Sequence, residues 1–262
     1  MLLALDVGNT NVTVGVFGPL PAEGDAPLIA HWRLRTVHEQ TADEWGILFR
    51  NLFTLSGLDI GAVDGVIVAS VVPPLDSALD AMAQRYFHTE PLFVGADTDL
   101  GFRICYDNPT DVGADRLVNA VAAYAKYGGP CVVVDLGTAI TFDVISRQGD
   151  YMGGVIAAGI SISIEALFSK TARLPMVDFR APAKLIGTNT VAAIQSGLYY
   201  GALGMIDGII ERLIGELGPD TRCLATGGQA PLIVRGSRYL KASDENLTLE
   251  GLALIWQRAR RP

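Results

Sequence analysis

Two segments, LLALDVGNTNVTVGVF near the start and CVVVDLGTAITFDVI past the middle, set an aspartate, a glycine and small polar residues between two apolar runs. The first groups Asp6, Gly8, Asn9 and Thr10, and the second groups Asp135, Gly137 and Thr138. The pattern predicts strand, tight turn, strand, made twice. Glycine lets the backbone approach a bulky anion, amides and hydroxyls can bond phosphate oxygens, and a carboxylate can hold the cation that a nucleotide brings. The repetition therefore predicts a phosphate clamp built from two similar halves.

Three further segments carry chemistry of a compatible kind. YDNPTDVGADR, from Tyr106 to Arg116, puts Asp115 and Arg116 at a helix start, where unpaired backbone N–H groups favour anions. LATGGQA, from Leu224 to Ala230, supplies a strand and a glycine turn against which an adenosine could lie. GTNTVAAIQSG, from Gly187 to Gly197, offers Thr188 and Thr190 at the head of a long helix. Each has a plainer competitor. Asp115 and Arg116 can be a helix-start acid and its surface partner, Asp135 can cap its own turn, and Asp143 and Asp150 read as ordinary strand-end or turn acids. Trp32, Trp45 and Trp256 fit apolar patterns of the core, and Glu211 and Arg212 a solvated helix edge.

The composition narrows the class. Half of the 262 residues are hydrophobic and the mean hydropathy is +0.32, values of a compact folded chain and far from disorder. A net charge of −8 and a pI near 4.8 weigh against non-specific nucleic-acid binding, and the basic tail RARRP is too short to reverse this. Cys105, Cys131 and Cys223 are far apart and set in apolar contexts, so they read as reduced and buried; His31, His38 and His88 form no ligand pattern with them. The start MLLALDVG has no basic stretch before its apolar run, and GGVIAAGISISIEALF is too glycine-rich for a span, so neither signal peptide nor membrane contact is expected. A cytoplasmic location follows as the expectation.

To position these residues the chain needs two similar α/β lobes. After the first hairpin, LIAHWRLRT predicts a third strand, TADEWGILFRNLFTLSG a helix, GVIVASVVPP a buried strand stopped by Pro73 and Pro74, SALDAMAQRYF a helix and PLFVG a strand. The second half repeats the plan, with YMGGVIAAG as its third strand, ISIEALFSKTARL as a helix, and a closing helix LTLEGLALIWQRA. The pattern from Val191 to Leu217 is apolar on nearly every side and predicts burial, either between lobes or in a subunit interface. The helix GADRLVNAVAAYAKYG is expected to cross between the lobes.

There is no Gly-Lys dipeptide, hence no Walker A loop, and no G-x-G-x-x-G follows a strand. The doubled D-x-G-[NT] hairpin instead resembles the phosphate device of the acetate and sugar kinase, heat-shock ATPase and actin superfamily. With DVGNTN, YDNPTDVGADR, DLGTAITFD, GGVIAAG, TARLP, GTNTVAAIQSG and ATGG in order, the chain resembles the type III pantothenate kinases along essentially its whole length. The resemblance implies a fold of two lobes of ribonuclease H-like, actin-like ATPase topology, each a mixed five-stranded sheet with flanking helices. It divides the chain into an N-terminal lobe, 1–115, and a C-terminal lobe, 116–262, that carries dimerisation helices.

It also implies an activity, the ATP-dependent phosphorylation of pantothenate that opens coenzyme A synthesis, with magnesium and a potassium or ammonium ion, in a homodimer. Carried onto this chain, Asp6, Val7, Gly8, Asn9, Thr10, Asn11, Val12 and Thr13 would hold the ATP phosphates, with Thr138 bonding them from the other lobe. Asp6 would reach magnesium through ATP, and Asp135 would coordinate the monovalent cation. Tyr106, Gly113, Ala114, Asp115, Arg116 and Thr190 would line the pantothenate site, with Asp115 as the proton acceptor. Where the family usually has proline, this chain has Ala158, which implies a looser loop. The alternatives are a nucleotide-binding regulatory protein on the same scaffold, or a kinase of another small alcohol. An acid beside an acceptor site favours an enzyme.

Overall fold

The computed structural model describes residues 1–19 and 26–260; the last two residues of the basic tail, Arg261 and Pro262, lie outside it. Contacts divide the chain into two compact units, residues 1–102, 106–122 and 247–262 in one, 103–105 and 123–246 in the other. The division is not one cut at 115/116. It passes through a helix, and the C-terminal helix belongs with the first unit.

In the first unit β1 (Leu2–Val7), β2 (Asn11–Phe17) and β3 (Leu28–Arg35) form an antiparallel meander. α1 (Ala42–Leu55) leads to β4 (Gly65–Ser70), then α2 (Pro73–Met82) to β5 (Leu92–Phe93), and both strands run parallel to β1, giving the order β3-β2-β1-β4-β5. Leu3, Leu5, Val7, Val12, Val14 and Val16 point to one face and pack against Trp45, Phe49 and Phe53 of α1 and Leu75, Leu79 and Met82 of α2. α1 starts where Thr41 and Glu44 form a reciprocal capping box, satisfying two otherwise unpaired backbone donors. Pro73 and Pro74 do not end the strand. β4 ends at Ser70, and the prolines occupy the first positions of α2, where the missing N–H costs nothing.

α3 (Ala114–Tyr127) divides its residues between the units. The second unit repeats the plan with β6 (Cys131–Leu136), β7 (Ala139–Ile145), β8 (Tyr151–Ala158), α4 (Ile160–Lys170), α5 (Thr190–Leu217), β9 (Arg222–Thr226) and α6 (Ala230–Val234), in the order β8-β7-β6-β9. Its sheet has four strands where five were expected. The place of the fifth holds a single parallel bridge, Ala225 to Ser243, with the Asp244 N–H donating to the Ala225 carbonyl at 2.8 Å. α7 (Leu247–Ala259) follows and packs on β1, β2 and β4.

The repeat extends to burial: β1 and β6 share one pattern, four buried residues, a half-exposed aspartate and a buried residue. α5 departs from expectation, since only a stripe through Tyr199, Leu203, Ile206 and Ile210 is buried while Val191 and Tyr200 are exposed. Ala158 sits in β8 opposite Ala139, a strand position and not a loop.

Candidate active site

In the first unit the hairpin turn is closed by the Gly8 N–H donating to the Asn11 carbonyl at 3.0 Å. Asp6 lies opposite Thr13 and is half-buried, while Asn9, Thr10 and Asn11 are exposed. Val7 and Val12 are fully buried in the core, so only their backbone could touch a ligand. The acceptor segment is stiffened locally. The Asn108 amide donates to Asp111 at 2.8 Å, the Thr110 hydroxyl donates to Asn108 at 2.9 Å, and Tyr106 stays exposed.

At the head of α3 the Arg116 N–H donates to Asp115 Oδ1 at 2.8 Å and lies 3.1 Å from the Gly113 carbonyl. A Cβ on Gly113 would lie 2.6 Å from that carboxylate oxygen, so glycine is what lets Asp115 fold back over the turn. Burial pushes the Asp115 carboxyl above its usual value, opposed by the N–H and the charge of Arg116. Arg116 is buried, and Ala114 with it.

The end of β1 and the Gly113 turn are linked by Val71, a residue the sequence did not single out. Its N–H donates to the Val7 carbonyl at 3.0 Å, and its Cγ1 lies 3.3 Å from the position of a Gly113 Cβ. The end of β1 and the turn before Asp115 thus share one intervening residue, bonded to β1 by its backbone and packed on the turn by its side chain.

In the second unit Asp135 lies opposite Thr141 and beside Thr226, as Asp6 lies opposite Thr13. Its turn is one residue tighter, with the Gly137 N–H donating to the Ala139 carbonyl at 3.0 Å, and Thr138 is exposed. Gly159 packs on the Thr138 carbonyl with no room for a Cβ. Thr190 begins α5, capped by Asn189 accepting from the Ala192 N–H at 2.9 Å. It lines a cavity of about 730 Å³ with Leu167, Leu174, Thr188 and Ile194.

The family model for type III pantothenate kinase matches residues 2–212. A type III pantothenate kinase of Solibacter usitatus is 68% identical over 258 residues, 98% of this chain and 97% of that one. The chain belongs to the type III pantothenate kinase family. Among solved structures, a Baf family protein of Campylobacter jejuni aligns at TM-score 0.58 with 21% identity, covering 98% of each chain. Component A of the (R)-2-hydroxyglutaryl-CoA dehydratase of Acidaminococcus fermentans aligns at TM-score 0.56 with 11% identity, covering 99% of each. These two likenesses bear on the fold alone, two α/β units with mixed sheets and flanking helices.

For a member of this kinase family the donor sets are informative. Among the described residues there is no group of three or more His, Cys, Asp or Glu able to hold a metal. A single carboxylate flanked by the hydroxyl-bearing residues Thr141 and Thr226, as at Asp135, fits a singly charged ion that accepts neutral oxygen ligands. Asp6 could reach a magnesium ion carried on phosphates, an ion that keeps most of its waters.

Other acids and thiols sit differently from expectation. Asp143 is fully buried and accepts from the Tyr151 hydroxyl at 2.8 Å and Thr141 at 3.2 Å, so it is an interior acid with partners. Cys105 is exposed, where all three cysteines were expected inside; burial pushes the Cys131 thiol up to about 12 and the Cys223 thiol up to about 11. Among the described residues no helix is long and apolar enough to cross a membrane.

Proposed function

We propose that this chain transfers the γ-phosphoryl group of ATP to the primary hydroxyl of pantothenate, the first step of coenzyme A synthesis. The observation that carries this reading is the link through Val71 between the end of β1 and the Gly113 turn. It sets a phosphate-type hairpin beside an acid at a helix start within one folded unit.

Phosphoryl transfer asks the protein mainly to position groups and neutralise charge. The exposed turn from Gly8 to Asn11 presents amides and hydroxyls to the phosphates, the backbone of Val7 and Val12 holds the turn, and Thr13 stands beside Asp6. The second hairpin repeats the device with the exposed hydroxyl of Thr138. The alcohol oxygen bonds to the γ-phosphorus as the bond to the β–γ bridging oxygen breaks, ADP leaves, and the alcohol proton passes to Asp115. The raised pKa of Asp115 suits it to accept that proton, a contribution of about 10²- to 10⁴-fold. The Arg116 guanidinium pairs with the pantothenate carboxylate, Tyr106, Gly113 and Ala114 shape the acceptor site beside it, and Thr190 offers a hydroxyl of the kind that such a site uses.

Asp6 would reach a magnesium ion carried on ATP and Asp135 would hold a potassium or ammonium ion; each would supply positive charge against the phosphates. The working form is a cytoplasmic homodimer, a reading supported by the exposed apolar residues of α4, α5 and β8. The deciding experiment gives the purified protein ATP, magnesium and potassium with pantothenate, pantetheine and a panel of sugars. Phosphate transfer to pantothenate is expected; transfer only to a sugar, or none, overturns the assignment.

A further inference from the structure

The first residue after β3, Thr36, is buried at 8% exposure and reaches back to the hairpin turn twice. Its hydroxyl donates to the Gly8 carbonyl at 2.6 Å, and its backbone N–H donates to the Thr10 carbonyl at 3.0 Å. These are the carbonyls of the two residues on either side of Asn9, so the first and third of the three peptide planes between Gly8 and Asn11 are held from behind by one residue, 28 positions from Gly8.

The consequence follows from peptide geometry. In a planar trans peptide the N–H points opposite to the C=O. With the Gly8 and Thr10 carbonyls turned towards Thr36, the N–H groups of Asn9 and Asn11 are turned away from it, on the side where the turn is exposed. Successive N–H groups presented by a turn form a concavity for an anion. Were either plane to flip, a carbonyl oxygen would meet the phosphate in place of a donor, and attraction would become repulsion.

We propose that Thr36 is a positioning residue for nucleotide phosphate, fixing the polarity of the Gly8–Asn11 turn without touching the ligand. The register of β2 with β3 already supplies the backbone bond, since Asn11 pairs with Arg35 and the next residue donates to Thr10. The hydroxyl bond is the part that depends on residue type. It is also the shorter of the two and fixes the peptide that carries the Asn9 N–H. The inference rests on the kinase reading for the location of the phosphates, but not on pantothenate being the acceptor.

The test compares Thr36→Val, which keeps shape and loses the hydroxyl, with Thr36→Ser, which keeps the hydroxyl. Readouts are ADP affinity by calorimetry, the KM values for ATP and pantothenate, and Tm. Loss of one such buried bond predicts ADP binding weaker by about five- to tenfold in the valine variant, with the KM for ATP rising in parallel. The KM for pantothenate should stay within about twofold, and serine should restore nucleotide binding to within about twofold of wild type. If Tm falls in the valine variant while ADP affinity holds, or if both KM values rise together, Thr36 is merely structural and the proposal fails; failure of serine to rescue has the same meaning. Should valine prevent folding, Thr36→Ala takes its place under the same criteria. ADP binding is measured without an acceptor, so an inactive wild type would refute the pantothenate reading and leave this test intact.

Discussion

Gly227 stands so close to Asp135 that a Cβ added to it would lie 2.5 Å from the carboxylate oxygen Oδ1, and 2.7 Å from the Leu136 nitrogen. Gly227 also has φ of +89°, a conformation that side chains rarely adopt. The glycine turn after β9 therefore sets the space around the aspartate proposed to hold a cation. Gly227→Ala is expected to weaken activation by potassium at least about fivefold and to destabilise the fold by about 1–2 kcal/mol from the backbone alone. Titrating turnover with potassium chloride, beside a thermal melt, checks both; unchanged potassium activation would mean that Asp135 tolerates the displacement.

Asp135 itself leads to a second expectation. One carboxylate between two threonine-bearing strands selects poorly between ions by charge, so selection falls to size and to the ease of shedding water. Turnover in potassium or ammonium should exceed turnover in sodium, and Asp135→Ala should abolish the difference. Equal rates in the three salts for the wild type would remove the monovalent role.

For Asp115 the sign of the pH effect can be worked out. Burial raises its pKa, so the folded state holds the proton more tightly than the unfolded chain does. Its contribution to stability is full below the unfolded value and is lost as pH rises through the folded one. The base must be ionised to accept a proton, so activity should rise with pH through a limb lying above the ordinary carboxylate range. Asp115→Asn should lower kcat by about 10²- to 10⁴-fold and erase that limb. A variant that keeps turnover within about threefold of wild type would exclude the general-base role.

The hairpins, the three-strand meanders and the glycines were legible because each is a local pattern: alternation of apolar residues, then Asp, Gly and a hydroxyl. Thr36 and Val71 were not. Thr36 ends an ordinary strand, and its bond to Gly8 exists only once β3 lies beside β2. Val71 sits in an apolar run that predicts a core residue, and its contact with the Gly113 turn comes from the parallel pairing of β4 with β1. The fifth strand of the second sheet was expected from the family resemblance, but that segment makes only one bridge. For α5, apolar periodicity measures what a helix could cover, and a single chain covers only part of it.

Arg116 is buried at the helix head, and its neighbour Asp115 shares the same turn. A planar guanidinium can pair with a carboxylate through two parallel bonds, which an ammonium cannot reproduce. Arg116→Lys should therefore raise the KM for pantothenate by about tenfold while the KM for ATP changes by less than about twofold. Steady-state kinetics with each substrate varied in turn reads the split, and the opposite pattern would move Arg116 to the nucleotide.

The exposed large apolar residues on the strands and helices of the second unit include Met152 and Ile156 on β8, Ile162, Leu167 and Phe168 on α4, and Val191 and Tyr200 on α5, with Met176, Leu185 and Ile186 exposed on the segment between α4 and α5. Ile156 is 62% exposed and Phe168 46%, large values for side chains whose transfer from water each gives about 1.5–3 kcal/mol. α4 packs on α5 and on β7, the neighbour of β8, so these residues belong to one contiguous set of elements. A second copy covering them would remove that exposure, and the stripe of α5 left open in one chain would become buried. Sedimentation should therefore give twice the 27.8 kDa of the chain. Replacing Phe168 and Tyr200 together by glutamate should shift the protein to monomer by placing like charges where the two surfaces meet. A wild-type protein that sediments as a monomer at micromolar concentration would leave those side chains without a covering copy and refute the dimer.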